Sequence, residues 1–136
     1  MIKYGRLNLI AGACAIFVAA IGGFALGKTL ESNFILGVYA QTLSRTLLKA
    51  GHAHGMTFAF YNLIVGLMVD RLALDDKWKR YCSVLAVLAL FMPVGLALRG
   101  ALNGSAAVEP VPMLGALCFL ASAAIVLKGA LATRAG

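Results

Sequence analysis

Four long stretches without a charged residue constrain this chain more than any other feature. They cover residues 7–27, 50–69, 81–98 and 110–127. Each approaches the roughly 20 residues that an α-helix needs to cross a hydrocarbon core of about 30 Å. The chain is also 62% hydrophobic and only 12% charged, as expected for a bilayer protein. The sequence therefore predicts one all-α integral membrane domain over residues 1–136, a bundle of four transmembrane helices at about 7–27, 50–69, 81–98 and 110–130.

The distribution of Lys and Arg predicts the orientation of these helices. Eight of the 12 lie before the first stretch, in the connection 70–80 and after the last stretch, and four lie in the other two connections. Cytoplasmic segments retain positive charge, so we expect both termini in the cytoplasm. A cleaved signal peptide is the alternative for the first stretch, but that stretch exceeds the usual 7 to 15 apolar residues. These cations flank the apolar stretches, so the net charge of +7 does not indicate nucleic-acid binding.

The long connection between the first two stretches has apolar residues at a helical period in "SNFILGVYAQTLSRTLLKAG". With Ser32 as N-cap and Gly51 as a break, it predicts an amphipathic outer-loop helix whose Arg45 and Lys49 face lipid headgroups. Pro93 predicts a kink in the third helix. Small residues in the fourth helix favour close packing or self-association. The three cysteines fall in different stretches, which does not favour a disulfide framework.

The only two histidines, His52 and His54, stand where the second stretch begins, in "KAGHAHG". Positions two apart on an α-helix differ by about 200° in direction, so either the two rings serve different partners or one of them is structural. A zinc site on one helix face needs a spacing of four and is therefore not favoured. A single imidazole is enough to hold a haem iron in an apolar pocket.

Either face of the second helix could line a macrocycle. The His52 face carries Met56, Ala59 and Leu63, with Phe60 at its edge, and the His54 face carries Phe58, Tyr61 and Val65. The alternative without a cofactor is that both histidines bond headgroups or backbone and that the aromatic residues face lipid. Ionisable groups inside a membrane are functional candidates, so the haem interpretation stays open beside this alternative.

The order of these parts resembles the bacterial styrene oxide isomerase family. The resemblance covers nearly the whole chain and includes "KAGHAHG" at the start of helix two and the Asp-Lys turn in "DDKWKR". It implies a homotrimer in the inner membrane that holds haem b near the subunit interfaces through a histidine of helix two. Aligned without a gap on "DDKWKR", His52 takes the ligand position, and a slip of two residues would select His54 instead.

The resemblance also implies a reaction, the rearrangement of a small lipophilic epoxide to an aldehyde with ferric haem as Lewis acid. The family uses an Asn of helix two and a Tyr of helix three, but this chain has Phe58 and Ala97 at those positions. Asn62 and Tyr61 are the candidate catalytic replacements. His52, His54, Phe58, Phe60 and Leu63 are the candidate cofactor-binding residues, with His52 as the metal ligand.

Three classes of function therefore remain open at the level of sequence. The first is an isomerase with an exchangeable iron position. The second is a cytochrome b-like electron-transfer subunit with two axial ligands. The third is a haemless assembly or interaction protein of the membrane. The absorption spectrum of the purified protein separates them.

Overall fold

The computed structural model describes residues 2–32 and 42–133 of the chain, and it is all-helical over these residues. Five α-helices follow in order, α1 (Arg6–Ser32), α2 (Leu43–Met68), α3 (Asp76–Leu88), α4 (Phe91–Ala101) and α5 (Pro110–Thr133). Short 3₁₀ turns occur at Val69–Arg71 and Ala106–Val108.

Three segments of the described chain are long and apolar enough to cross a membrane, which suggests a membrane protein. They are Arg6–Lys28, Asp76–Ala101 and Ala106–Ala132. The helix α2 is not among them. It carries His52, His54 and Asn62, whose polar side chains lower its hydropathy. The predicted all-helical class is thus confirmed for the described residues, and the three apolar segments support the prediction of a membrane protein.

The helices pack in a continuous sequence of neighbours, α1 on α2, α2 on α4, α4 on α5 and α5 on α3. The buried core is small and includes Val65, Cys82, Ala86 and Ile125. Large apolar side chains instead cover the exterior, and Phe24 is 83% exposed. A molecule with small residues inside and large apolar residues outside matches a hydrocarbon surrounding.

The helices α1 and α2 run antiparallel along their whole shared length. The backbone of Gly5 lies against that of Gly66 at one end, and the Arg45 side chain donates a hydrogen bond to the Leu26 carbonyl, 2.8 Å away, at the other. At about 1.5 Å per residue, the α1 segment 5–26 is about 31 Å long. The helix α2 therefore extends through the same thickness as α1.

The start of α2 differs from the prediction. The helix begins at Leu43 and not at residue 50, because the Thr42 side chain accepts the Arg45 N–H at 3.2 Å and caps it. Gly51 does not break the helix but is buried inside it, against the backbone of Ala97. Ser32 does not begin an outer-loop helix, since it is the last residue of α1. Arg45 is 6% exposed and bonds protein backbone, contrary to the predicted headgroup contact. The rest of the predicted amphipathic helix, 33–41, lies outside the described residues.

The predicted third helix is present as α3 and α4, separated at Ala89 and Leu90. The helix is interrupted one turn before Pro93, close to the predicted kink. Pro93 has no N–H to offer the Ala89 carbonyl, and that carbonyl instead accepts the Met92 N–H at 3.0 Å. The fourth predicted helix corresponds to α5. Its Gly115 lies so close to α4 that an added Cβ would be 2.1 Å from the Met92 nitrogen, which confirms close packing within the chain.

Candidate functional site

His52 lies on the side of α2 that faces α1, where its ring is half-buried. Its Nδ1 atom is 2.9 Å from the carbonyl oxygen of Ala19. A carbonyl can only accept a hydrogen bond, so Nδ1 must carry the hydrogen. In the neutral ring the lone pair then belongs to Nε2. Within the described residues Nε2 has no hydrogen-bond partner of its own.

Gly23, one turn beyond Ala19 on α1, makes room for this ring. A Cβ atom added to Gly23 would be 2.7 Å from Cε1 of His52 and 3.3 Å from Nε2. Carbon atoms in proteins do not approach so closely, so the imidazole can rest against α1 only because residue 23 has no side chain. The Ala19 carbonyl and Gly23 together determine the tautomer and the position of His52.

The ring of His52 borders an apolar groove of about 580 Å³ between α1, α2 and α4, which we call the lateral groove. Its α1 and α2 walls are rich in small residues, including Ala11, Ala15, Ala19, Gly22, Gly51 and Gly55, and also contain Val18, Leu26 and Leu48. Its α4 wall consists of Leu90, Pro93, Val94 and Ala97, where the chain resumes after the break. Among the described residues that line it, only His52 and Cys14 have side chains with heteroatoms. The ring also borders a second, wider groove of about 990 Å³ along another face of α1, beside Phe24.

His54 belongs to a different part of the molecule. Its ring centroid is 5.9 Å from that of Phe58, and Phe58 stacks on Phe119 of α5 at 4.7 Å. His52 contacts α1, whereas His54 lies on the aromatic cluster that α2 forms with α5. This confirms that the two histidines have different partners.

Of the five candidate cofactor-binding residues, the lateral groove includes only His52. Phe58 is buried in the cluster on the His54 side. Phe60 is 52% exposed on the exterior of the molecule. Leu63 packs against Gly12 of α1, more than two turns along α2 from His52.

Asn62, a candidate catalytic residue, is completely buried in a hydrogen-bond network that connects three helices. Its Oδ1 accepts from Asn8 of α1 at 2.9 Å, and its Nδ2 donates to the carbonyls of Phe58 at 3.0 Å and Ala86 at 2.8 Å. Asn8 also donates to the Ser83 carbonyl at 2.9 Å and accepts from the Ser83 hydroxyl. The amide of Asn62 therefore holds α1, α2 and α3 together and is not presented to the groove.

Tyr61, the other candidate catalytic residue, also has a partner inside the protein. Its hydroxyl donates to the Ser122 hydroxyl of α5 at 2.9 Å, and Ser122 donates to the Cys82 carbonyl at 3.1 Å. Both predicted polar groups thus connect helices. The structure does not bring either of them to the ring of His52.

The residues that place His52 were missed at the level of sequence, although a pattern was available. Small residues recur at every fourth position of α1, at Ala11, Ala15, Ala19 and Gly23. This spacing puts them on one face of the helix, where another helix can approach closely. The second helix of that pair carries the histidine. Three-ligand clusters of His, Cys, Asp and Glu do not occur among the residues 2–32 and 42–133.

Comparison with protein-family models, with curated proteins and with solved structures finds no match to this chain.

Proposed function

We propose that this chain is a haem b-binding membrane protein in which His52 is an axial ligand of the iron. The observation that carries the proposal is the hydrogen bond from Nδ1 to the Ala19 carbonyl. Histidines that bind metals typically donate the other ring N–H to a carbonyl or carboxylate, which fixes the ring and strengthens the ligating nitrogen. His52 has this arrangement, and Nε2 is the ring nitrogen that remains to bind the iron.

The chemistry of the lateral groove supports this proposal. Its lining is mostly apolar and rich in small residues, which is the kind of surface that a porphyrin needs, and its volume is about 580 Å³. The resemblance to the styrene oxide isomerase family supports the same residue, because His52 aligns with its haem ligand. The chain has no CxxCH segment for covalent attachment, which favours b-type haem.

The deciding experiment compares the two histidines. His52→Ala should abolish the Soret band of the purified protein, while His54→Ala should retain it, since His54 packs on Phe58. His52→Gly with added imidazole should recover the band, which separates a missing ligand from a misfolded protein. Full haem occupancy in His52→Ala, or its loss only in His54→Ala, would reject the assignment.

An epoxide isomerase is the enzyme activity that the groove favours. The lateral groove is apolar and has one imidazole, so a small lipophilic molecule could reach the same space from the bilayer. Ferric haem would supply a Lewis acid for the epoxide oxygen. Asn62 and Tyr61 connect helices, so we do not assign them to the reaction. Ferric protein should convert styrene oxide to phenylacetaldehyde, and dithionite-reduced protein should not.

The electron-transfer alternative requires a second axial ligand. His54 of the same chain is on the opposite side of α2, so two-histidine ligation would need a neighbouring subunit. A six-coordinate low-spin spectrum in both redox states, without isomerase activity, would favour this alternative. If the purified protein had no Soret band, the haemless assembly or interaction protein would be the remaining class of function.

We further propose that the protein is a homo-oligomer, in accordance with the trimer that the family resemblance implies. The lateral groove is open on one side, and a neighbouring chain would cover it. Gly115 and Ser122 of α5 already pack inside the chain, so the contact surface would instead come from α1. Native mass spectrometry of the haem-loaded protein should give a trimer, and haem-loaded monomers would contradict this.

A further inference from the structure

We propose that the protein has a binding site for one anionic phospholipid, at the membrane surface where α3 begins. The site is a groove of about 540 Å³ between the start of α1 and the first turns of α3. Its lining residues are Tyr4, Asp76, Lys77, Arg80, Tyr81 and Val84. We call it the basic groove. It does not include His52 and does not depend on haem.

One face of α3 carries four of these residues, because their spacing of three and four positions places them side by side on a helix. They are Lys77, Arg80, Tyr81 and Val84. This face changes along the helix from two cations through an aromatic ring to an aliphatic side chain. Tyr81 is 47% and Val84 41% exposed, so both are available to a ligand. A phospholipid has the matching order, with phosphate at the membrane surface, glycerol below it and an acyl chain deeper.

The charges of the basic groove favour an anion. Asp76 is the only acidic residue among the described residues of the lining, and Lys3 forms an ion pair with it at 2.9 Å. In the described part of the chain neither Lys77 nor Arg80 forms an ion pair. Lys77 instead has its ammonium 5.8 Å from the centre of the Tyr81 ring. Two cations beside an already neutralised carboxylate leave a net positive groove.

Basic pockets between transmembrane helices bind anionic headgroups, and aromatic residues prefer the interface at the same depth. The groove combines both features with an apolar floor that free phosphate would not need. We therefore assign the ligand as an anionic phospholipid of the phosphatidylglycerol type, with its phosphate between Lys77 and Arg80.

Trp78 provides the measurement, because it is the only tryptophan in the chain and its ring is 6.1 Å from that of Tyr81. The protein is reconstituted in phosphatidylcholine with a small fraction of phosphatidylglycerol brominated near the top of its acyl chain. Brominated phosphatidylcholine at the same fraction is the reference. We expect stronger Trp78 quenching by the anionic lipid, with saturation at one lipid per chain.

The matched variants are Arg80→Gln and Arg71→Gln, which remove the same charge from two exposed positions of the same region. In about 1 M NaCl, where the Debye length is about 3 Å, general surface attraction is screened. Arg80→Gln should then lower the affinity about tenfold, as for a lost hydrogen bond to a charged group, and Arg71→Gln should leave it unchanged. Lys77→Gln should behave like Arg80→Gln.

Equal quenching by the two brominated lipids would overturn the proposal. Equal losses in Arg71→Gln and Arg80→Gln would also overturn it, since they would indicate diffuse attraction and not a site. Circular dichroism of each variant checks that its helices are retained.

Discussion

At the level of single residues, one backbone carbonyl and one missing side chain determine how His52 is presented. The Ala19 carbonyl selects the tautomer, and Gly23 allows the ring to lie against α1. Asn62 and Tyr61 show the opposite case, because their side chains bond neighbouring helices, and Asn62 also bonds the Phe58 carbonyl of its own helix. The role proposed for each polar residue therefore depends on its partners and not on its residue type.

Gly23→Ala should destabilise the protein by about 1–3 kcal/mol, as expected for an overpacked contact, because the new methyl group would overlap His52. Gly27→Ala is the control, since an added Cβ there meets no atom of residues 2–32 and 42–133 within 4 Å. The free energy of unfolding is measured by detergent titration of purified protein. In the double variant Gly23→Ala/His52→Ala, the loss in free energy of unfolding should be smaller than the sum of the losses in the two single variants. Additive effects would show that the two residues are not in contact.

Asn62→Leu should also destabilise the protein, by about 1–3 kcal/mol, because it leaves polar partners in the core without their hydrogen bonds. Thr57→Val is the control. It removes a hydrogen bond of 3.0 Å to Ala53 that stays within α2. If Asn62→Leu left the free energy of unfolding unchanged and lowered only the proposed isomerase activity, Asn62 would be catalytic and not structural.

At the level of secondary-structure elements, side chains outside the helices determine where α1 and α2 begin. Thr42 caps α2 before its first apolar run. Asp70, which follows α2, accepts the backbone N–H groups of Lys3, Tyr4 and Gly5 at 3.0 to 3.3 Å. The end of one helix thus anchors the start of another.

This anchor should depend on pH. Partial burial alone would raise the pKa of the Asp70 carboxyl, but hydrogen bonds from the Tyr4, Gly5 and Lys3 backbone outweigh it and lower the pKa below the usual 3.8. A carboxylate with a lowered pKa adds stability above its unfolded pKa, and this stability is lost as the pH falls through the folded pKa.

We therefore expect the wild type to be more stable than Asp70→Asn at pH 5 to 7, by about 1 kcal/mol, because a charged carboxylate is a stronger hydrogen-bond acceptor than a neutral amide. This difference in stability should decrease below about pH 4, where the carboxylate becomes protonated. The measurement is the free energy of unfolding at each pH. Asp75→Asn is the control, because Asn caps a helix as well as Asp does. A gap between wild type and Asp70→Asn that stays constant down to pH 2 would contradict this role of the carboxylate.

At the level of the whole molecule, the number of membrane crossings depends on α2. Three segments are apolar enough to cross, and α2 is not. Its Arg45, His52 and Asn62 side chains are nevertheless bonded to neighbouring helices. It also runs antiparallel to α1 over about 31 Å, close to the thickness of a hydrocarbon core. Both observations support a fourth crossing.

The two topologies can be separated by reporter fusions at the two ends of the chain. Four crossings should put both reporters on the same side, in the cytoplasm by the distribution of Lys and Arg, whereas three crossings would put them on opposite sides. A reporter inserted at Ala73 is an internal check, since it should share the side of the N-terminus only when α2 crosses.

The sequence by itself determined the helical class, three apolar segments, an interruption of the helix near Pro93 and the different directions of the two histidines. These properties follow from composition and from the fixed 3.6-residue period of a helix, which require no knowledge of neighbours. The tertiary structure decided that α2 begins at Leu43, that Asn62 and Tyr61 connect helices, and that Gly23 supports His52. Those outcomes depend on which backbone lies opposite each side chain, and that pairing brings together residues far apart along the chain.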